Sequence, residues 1–193
     1  MNRKLTEIVF LLDRSGSMKG LESDTIGGFN AFIEKQSQLG ETNVTAVLFD
    51  NQYEILWNGL DARKARLTDK EYFVRGCTAL LDAVGKTILD MGYRFSKTSE
   101  DKRPSKIIFV ITTDGLENAS REFSCEKVKE LIIHQQEKYG WEFIFLGANI
   151  DAAKEAGSIG ISMDNAYNFE ASKNGVEKMY CMVSESVTEK RYS

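Results

Sequence analysis

The chain has 193 residues, enough for one domain to bury a sizeable core, and its composition is that of a soluble globular protein: 42% hydrophobic, 28% charged, one proline. A formal charge of −4 argues against bulk attraction to nucleic acid or to an anionic membrane surface. No stretch is long and apolar enough to span a bilayer. The opening MNRKLTEIVFLLD is a poor signal peptide, because its apolar run is short and ends in charge without a small-residue cleavage site. Cys77, Cys125 and Cys181 are widely spaced and form no C-x-x-C pair, which supports neither a disulfide framework nor a zinc knuckle. The expectation is a single cytoplasmic domain over residues 1–193.

In chain order, apolar runs of strand length alternate with segments of helical period. Residues 7–13 (EIVFLLD) form a near-continuous apolar run, as a strand covered on both faces requires. A helix over 21–39 follows, with Leu21, Phe29, Phe32 and Ile33 in register. Gly27 and Gly28 inside it weaken the helix but permit close packing on a sheet. The runs at 43–50 and 53–58, separated only by Asn51 and Gln52, predict an antiparallel hairpin. Residues 79–95 carry Leu80, Val84, Ile88, Met91 and Phe95 on one helical face, and a charged loop at 96–104 leads to a second buried strand at 106–114 (KIIFVITTD). An amphipathic helix at 125–139, a buried strand at 141–149, a short helix at 150–157, a weak strand near 166–170 and a helix over 172–187 complete the chain. This last part is less apolar than a final strand and helix usually are. The order predicts a three-layer, doubly wound, Rossmann-like α/β fold: a mostly parallel central sheet, helices on both faces and one antiparallel edge strand.

Open α/β sheets bind ligands at the carboxyl ends of their strands, so the residues that follow the buried strands carry the information. DRSGS (13–17) follows the first, Asp114 ends the 106–114 strand at TDGLEN, and RGCTALLDAV places Thr78 in a glycine-led loop at the mouth of a helix. Asp13, Ser15, Ser17, Thr78 and Asp114 are all hard oxygen donors, without histidine or thiolate. That set suits Mg²⁺ or Mn²⁺, admits Ca²⁺, and disfavours zinc or copper. The alternation of D-x-S-x-S turns these side chains inward, and Gly16 relieves the backbone where they converge. Two carboxylates balance a divalent ion and neutral hydroxyls add no charge. A metal held there stays electrophilic enough to accept one more anionic oxygen.

DRSGS, GCTAL and TDG, in this order at strand and helix junctions, resemble the metal-ion-dependent adhesion site (MIDAS) of von Willebrand factor A domains, written D-x-S-x-S…T…D. All five positions are filled, and the hairpin and β/α order extend the resemblance over nearly the whole chain. It implies that Ser15 and Ser17 coordinate a cation through their hydroxyls and Thr78 directly or through water. Asp13 and Asp114 would contribute directly or by holding coordinated waters. A sixth position is left for a Glu or Asp carboxylate of a partner protein. The resemblance also implies that the Thr78 loop and last helix can shift between low- and high-affinity states. It extends to short, stand-alone intracellular versions found in bacteria and phages.

Around the five stand candidates of weaker signal. Arg14, Glu117 and Asn118 are candidate rim residues for the partner, although solvation or loop polarity explains them equally. Asp82 reads as a partner of the threonine loop or as an N-terminal helix acid. Asp50 reads as part of the hairpin turn, Cys77 as a small apolar group packed inward, and His134 as an ordinary helix residue. Three functions compete. The first is a non-enzymatic module that captures an acidic side chain of a protein partner through the cation. The second is a metal-dependent phosphohydrolase, disfavoured because no D-x-D follows the first strand and no Walker-type lysine or crevice histidine is present. The third is a scaffold with a purely structural ion. The single His134 excludes Ser-His-Asp catalysis, and SGSMKG does not supply a dinucleotide-binding loop.

Overall fold

The structure is a computed structural model that describes residues 2–193, with side chains from residue 4 onward. Strands β1 (Asn2–Asp13), β2 (Thr42–Phe49), β3 (Tyr53–Asp61), β4 (Pro104–Thr113), β5 (Glu142–Ala148) and β6 (Ala166–Phe169) form one sheet in the order β3-β2-β1-β4-β5-β6. Every neighbouring pair is parallel except β2 and β3, whose hairpin puts the antiparallel strand at the edge. The helices are α1 (Glu22–Leu39), α2 (Leu80–Lys97), α3 (Cys125–Tyr139), α4 (Ala152–Ser158) and α5 (Lys173–Tyr192).

The alternation of β1 sorts these helices into two layers. Ile8, Phe10 and Leu12 face α1 and α5, where Phe10 meets Phe29 and Phe32 edge-on. Val9 and Leu11 face α2, α3 and α4 on the other side. A sheet buried on both faces needs apolar side chains at consecutive positions, which is why β1, β4 and β5 read as continuous apolar runs. Among the described residues no helix is long and apolar enough to cross a membrane.

The expected α/β architecture forms, with three differences of detail. Gly28 serves helix–helix contact rather than packing on the sheet. A Cβ there would overlap the ring of Tyr180 on α5, whereas one on Gly27 would meet nothing. The weakly apolar C-terminal part forms both β6 and a helix that continues to Tyr192. Val176, Met179, Tyr180, Val183 and Val187 lie in one buried stripe, so few apolar residues suffice. Asp114 follows β4 rather than ending it.

Strand order positions the site. From β1 the chain winds one way through β2 and β3, then returns to the other side of β1 for β4, β5 and β6. The reversal lies between β1 and β4, the place where open α/β sheets set their ligand crevice at the carboxyl ends of the strands. Asp13 and Asp114 stand at those two ends.

Candidate metal centre

Asp13 turns the chain and staples the two central strands. Its Oδ1 accepts the Ser15 N–H at 2.7 Å, the local bond by which an aspartate starts a turn, and a 3-10 turn over Gly16–Met18 leads into α1. Its Oδ2 accepts the Thr113 hydroxyl at 2.8 Å and the Asp114 N–H at 3.4 Å. Burial pushes the Asp13 carboxyl up to about 6 although hydrogen bonds from Ser15 and Thr113 pull it down, and the charge of Asp114 adds to the rise. Tyr72 donates its hydroxyl to the Asp13 carbonyl at 2.8 Å. Burial and the nearby Asp13 hold that phenol well above its usual pKa, so it remains a donor.

Asp114 faces the two serines. Its Oδ1 accepts the Ser17 hydroxyl at 2.6 Å and the Ser15 hydroxyl at 3.3 Å, and the two serine oxygens are 3.2 Å apart. Its Oδ2 is buried and has no hydrogen-bond partner among the described residues. Nor does any described basic side chain form an ion pair with Asp13 or Asp114; the arginines near them are engaged elsewhere.

Thr78 meets the group at Gly115. A Cβ on that glycine would lie 3.8 Å from Thr78 Oγ1 and 3.9 Å from Ser17 Oγ, so Gly115 borders both hydroxyls. Gly76, in the left-handed region at φ +70°, turns the Thr78 loop toward the crevice, and its carbonyl accepts the Gly16 N–H at 3.2 Å. Arg75 N–H bonds the Arg14 carbonyl and Ala79 N–H bonds the Asp50 carbonyl, docking this loop onto the ends of β1 and β2. Four of the five sequence candidates are thus linked by hydrogen bonds, and the fifth borders the same glycine as Ser17. Among the described residues no group of three or more His, Cys, Asp or Glu side chains is placed to hold a metal, so a cation here would depend on hydroxyl donors.

The neighbouring candidates have partners within the chain. Arg14 is fully buried, its guanidinium 3.5 Å from Asp50 and 2.8 Å from Glu54, and Arg75 closes on Asp50 at 2.8 Å. Two arginines and two carboxylates cancel, so this cluster adds no net charge to the crevice. Asp50 does serve the hairpin turn, accepting Gln52 N–H, but it is also the hub of these ion pairs. Glu117 accepts the N–H groups of Leu81, Ala119 and Ser120 and the Ser120 hydroxyl. Asn118 accepts the Thr78 N–H at 2.9 Å. Asp82 accepts the N–H groups of Arg121, Glu122 and Phe123; burial pushes its carboxyl up, but these bonds win and hold it below the usual range. Cys77 does not pack inward. It is exposed, in a groove of about 650 Å³ beside the Thr78 loop that Asn118 and Ser120 also line. His134 is exposed on α3, against Tyr139.

No family model and no curated protein matches the sequence. Solved structures do. The PilB minor pilin of Streptococcus sanguinis superimposes with a TM-score of 0.69 at 11% identity, over 95% of this chain and 61% of that one. Proximal thread matrix protein 1 of the mussel byssus, in a structure with a zinc-occupied MIDAS motif, gives 0.63 at 17% identity over 95% of this chain and 46% of that one. The manganese-loaded TRAP protein of Plasmodium vivax gives 0.64 at 17% identity over 93% and 73%. The chain therefore spans less than two thirds of the pilin and of the thread protein. These likenesses show a von Willebrand factor A-like fold.

Proposed function

We propose that this protein is a cation-dependent binding module rather than an enzyme. In this reading Asp13, Ser15, Ser17, Thr78 and Asp114 form a complete adhesion-type site that holds Mg²⁺ or Mn²⁺, with Ca²⁺ also admitted, and that takes an acidic side chain of a partner protein. One observation carries the reading: a buried carboxylate oxygen, Asp114 Oδ2, has no donor among the described residues and stands beside a second buried carboxylate. Leaving such an oxygen unpartnered costs about 1–3 kcal/mol or more, and two like charges close together add to that cost. The donor set fits a hard divalent ion, with all oxygens and two carboxylates. The zinc of the mussel thread protein and the manganese of TRAP support a divalent ion in this fold.

Each residue has a distinct task. Asp13 holds the Ser15 amide, Thr113 and the Asp114 amide, and so fixes where the other oxygens stand while lending its charge. The Ser15 and Ser17 hydroxyls can turn their protons outward and present lone pairs, because rotation about C–O is free. Asp114 supplies the second charge. A bound divalent cation supplies an electrophilic centre to which an anionic oxygen from outside can bind. The cancelled charges of Arg14, Asp50, Arg75 and Glu54 leave the two aspartates to set the charge of the crevice. Three free cysteines, two of them exposed, support a reducing, cytoplasmic place of work.

The test is selection of displayed heptapeptides on the immobilised protein in Mg²⁺, followed by elution with chelator. The reading expects eluted peptides to share a Glu or Asp, to lose retention when it becomes Gln or Asn, and not to bind Asp114→Asn protein. Retention indifferent to chelator or to the carboxylate contradicts it. Release of phosphate from an aryl phosphate in Mn²⁺ contradicts the non-enzymatic part.

A further inference from the structure

Thr78 lies in the long irregular stretch between β3 and α2, far in sequence from Asp114, yet its hydroxyl and that of Ser17 both border Gly115. Two bonds to one residue hold it. The Thr78 N–H donates to Asn118 Oδ1 at 2.9 Å, and the Asn118 N–H donates to the Thr78 carbonyl at 3.1 Å. Asn118 thus takes both backbone polar groups of Thr78, as a neighbouring strand would.

The turn that carries Asn118 is itself built onto α2. Ala79, at the start of that helix, provides no side-chain cap. The first amides of a helix have no partner within it. Here Glu117 accepts the Leu81 N–H at 2.8 Å and the Ser120 hydroxyl accepts the Asp82 N–H at 2.9 Å, so the caps come from the loop after β4. Asp82 returns the contact by taking three amides of residues 121–123. The Thr78 side of the crevice and the Asp114 side are therefore bound together by hydrogen bonds that use no cation.

We infer that Asn118 is the positioning residue for Thr78, and that the 117–120 turn, by capping α2 from outside, presets the cation site before any ion binds. The affinity arm of the test rests on the proposed cation site; the exchange arm does not. Asn118→Ala, Asn118→Asp, Thr78→Ala and the Thr78→Ala/Asn118→Ala double variant are compared. Amide hydrogen exchange is measured in excess chelator and Mg²⁺ titration by calorimetry, with thermal unfolding in chelator as the control for folding.

In Asn118→Ala, the Thr78 amide should exchange about tenfold faster while amides of β1 and β4 do not change, and Mg²⁺ should bind about tenfold more weakly. Asn118→Asp keeps the acceptor oxygen and should restore protection of Thr78. The double variant should bind Mg²⁺ no more weakly than Thr78→Ala alone, because Asn118 acts through Thr78. Unchanged Thr78 exchange and Mg²⁺ affinity in Asn118→Ala would overturn the inference. So would losses that multiply in the double variant, which would make Asn118 act independently of Thr78. If wild type shows no response to Mg²⁺, the cation reading falls, and the exchange arm still decides whether Asn118 braces Thr78.

Discussion

Glu7 and Asp13 stand on the same face of β1, six residues apart, and both are buried acids in opposite surroundings. Glu7 Oε1 lies 2.6 Å from Arg94 Nη2 of α2 and accepts the Thr45 hydroxyl at 2.6 Å. Arg94 in turn bonds Asn58. That cluster is closed within the chain. Asp13 instead neighbours a second carboxylate, one of whose oxygens has no donor among the described residues. A buried acid with its counter-charge built in is architecture. A buried pair of acids without one is incomplete, and its completion by something from outside is what the proposed function rests on.

The contrast can be broken experimentally, and the closed pair should give the largest effect. Arg94→Ala strands Glu7 in the sheet and should cost about 3–5 kcal/mol in denaturant unfolding, by the same amount in chelator and in Mg²⁺. A cation-dependent loss there would erase the distinction between the two acids. Asp82→Ala should cost about 2 kcal/mol at neutral pH, through three lost amide bonds to a charged acceptor. Because those bonds depress the Asp82 carboxyl, its contribution is present above the ordinary carboxylate range and is lost as pH falls through the depressed value. The gap between wild type and variant should therefore close in acid, and a gap that persists there would mean that its charge is not what matters. Smallest of all, Cys77→Ser should stay within about 0.5 kcal/mol of wild type, and the native thiol should react with an exposed-cysteine reagent without denaturant.

How much was legible in the sequence follows from how local each interaction is. The order of elements showed in the alternation of apolar runs and helical stripes, and the grouping of Asp13, Ser15, Ser17 and Asp114 followed from placing two short motifs at adjacent strand ends. Asn118 and Glu117 looked like loop polarity because their partners, Thr78 and Leu81, lie 40 and 36 residues away on another element. Arg14 likewise gave no local sign of burial. The usable signal was that β1 and β2, parallel neighbours with Asp13 opposite Phe49, are followed by Arg14 and Asp50, a pair of opposite charges. The chemistry of a thiol predicts Cys77 inside, but it follows the left-handed Gly76 and is exposed. The final helix was hard to read because its buried stripe is narrow and its other face is polar.

The most direct measurement is thermal unfolding of wild type and Asp114→Asn, first in excess chelator and then across a Mg²⁺ and Mn²⁺ series. Wild type should gain about 2.7 kcal/mol when the ion reaches a hundredfold excess over its Kd, since binding to the native state alone stabilises it by mass action. Asp114→Asn should fold as well as wild type in chelator, having lost one of two like charges, and should gain nothing from either ion. A wild type indifferent to both ions at millimolar concentration, or a variant that gains as much as wild type, would contradict the claim that these two buried carboxylates await a cation.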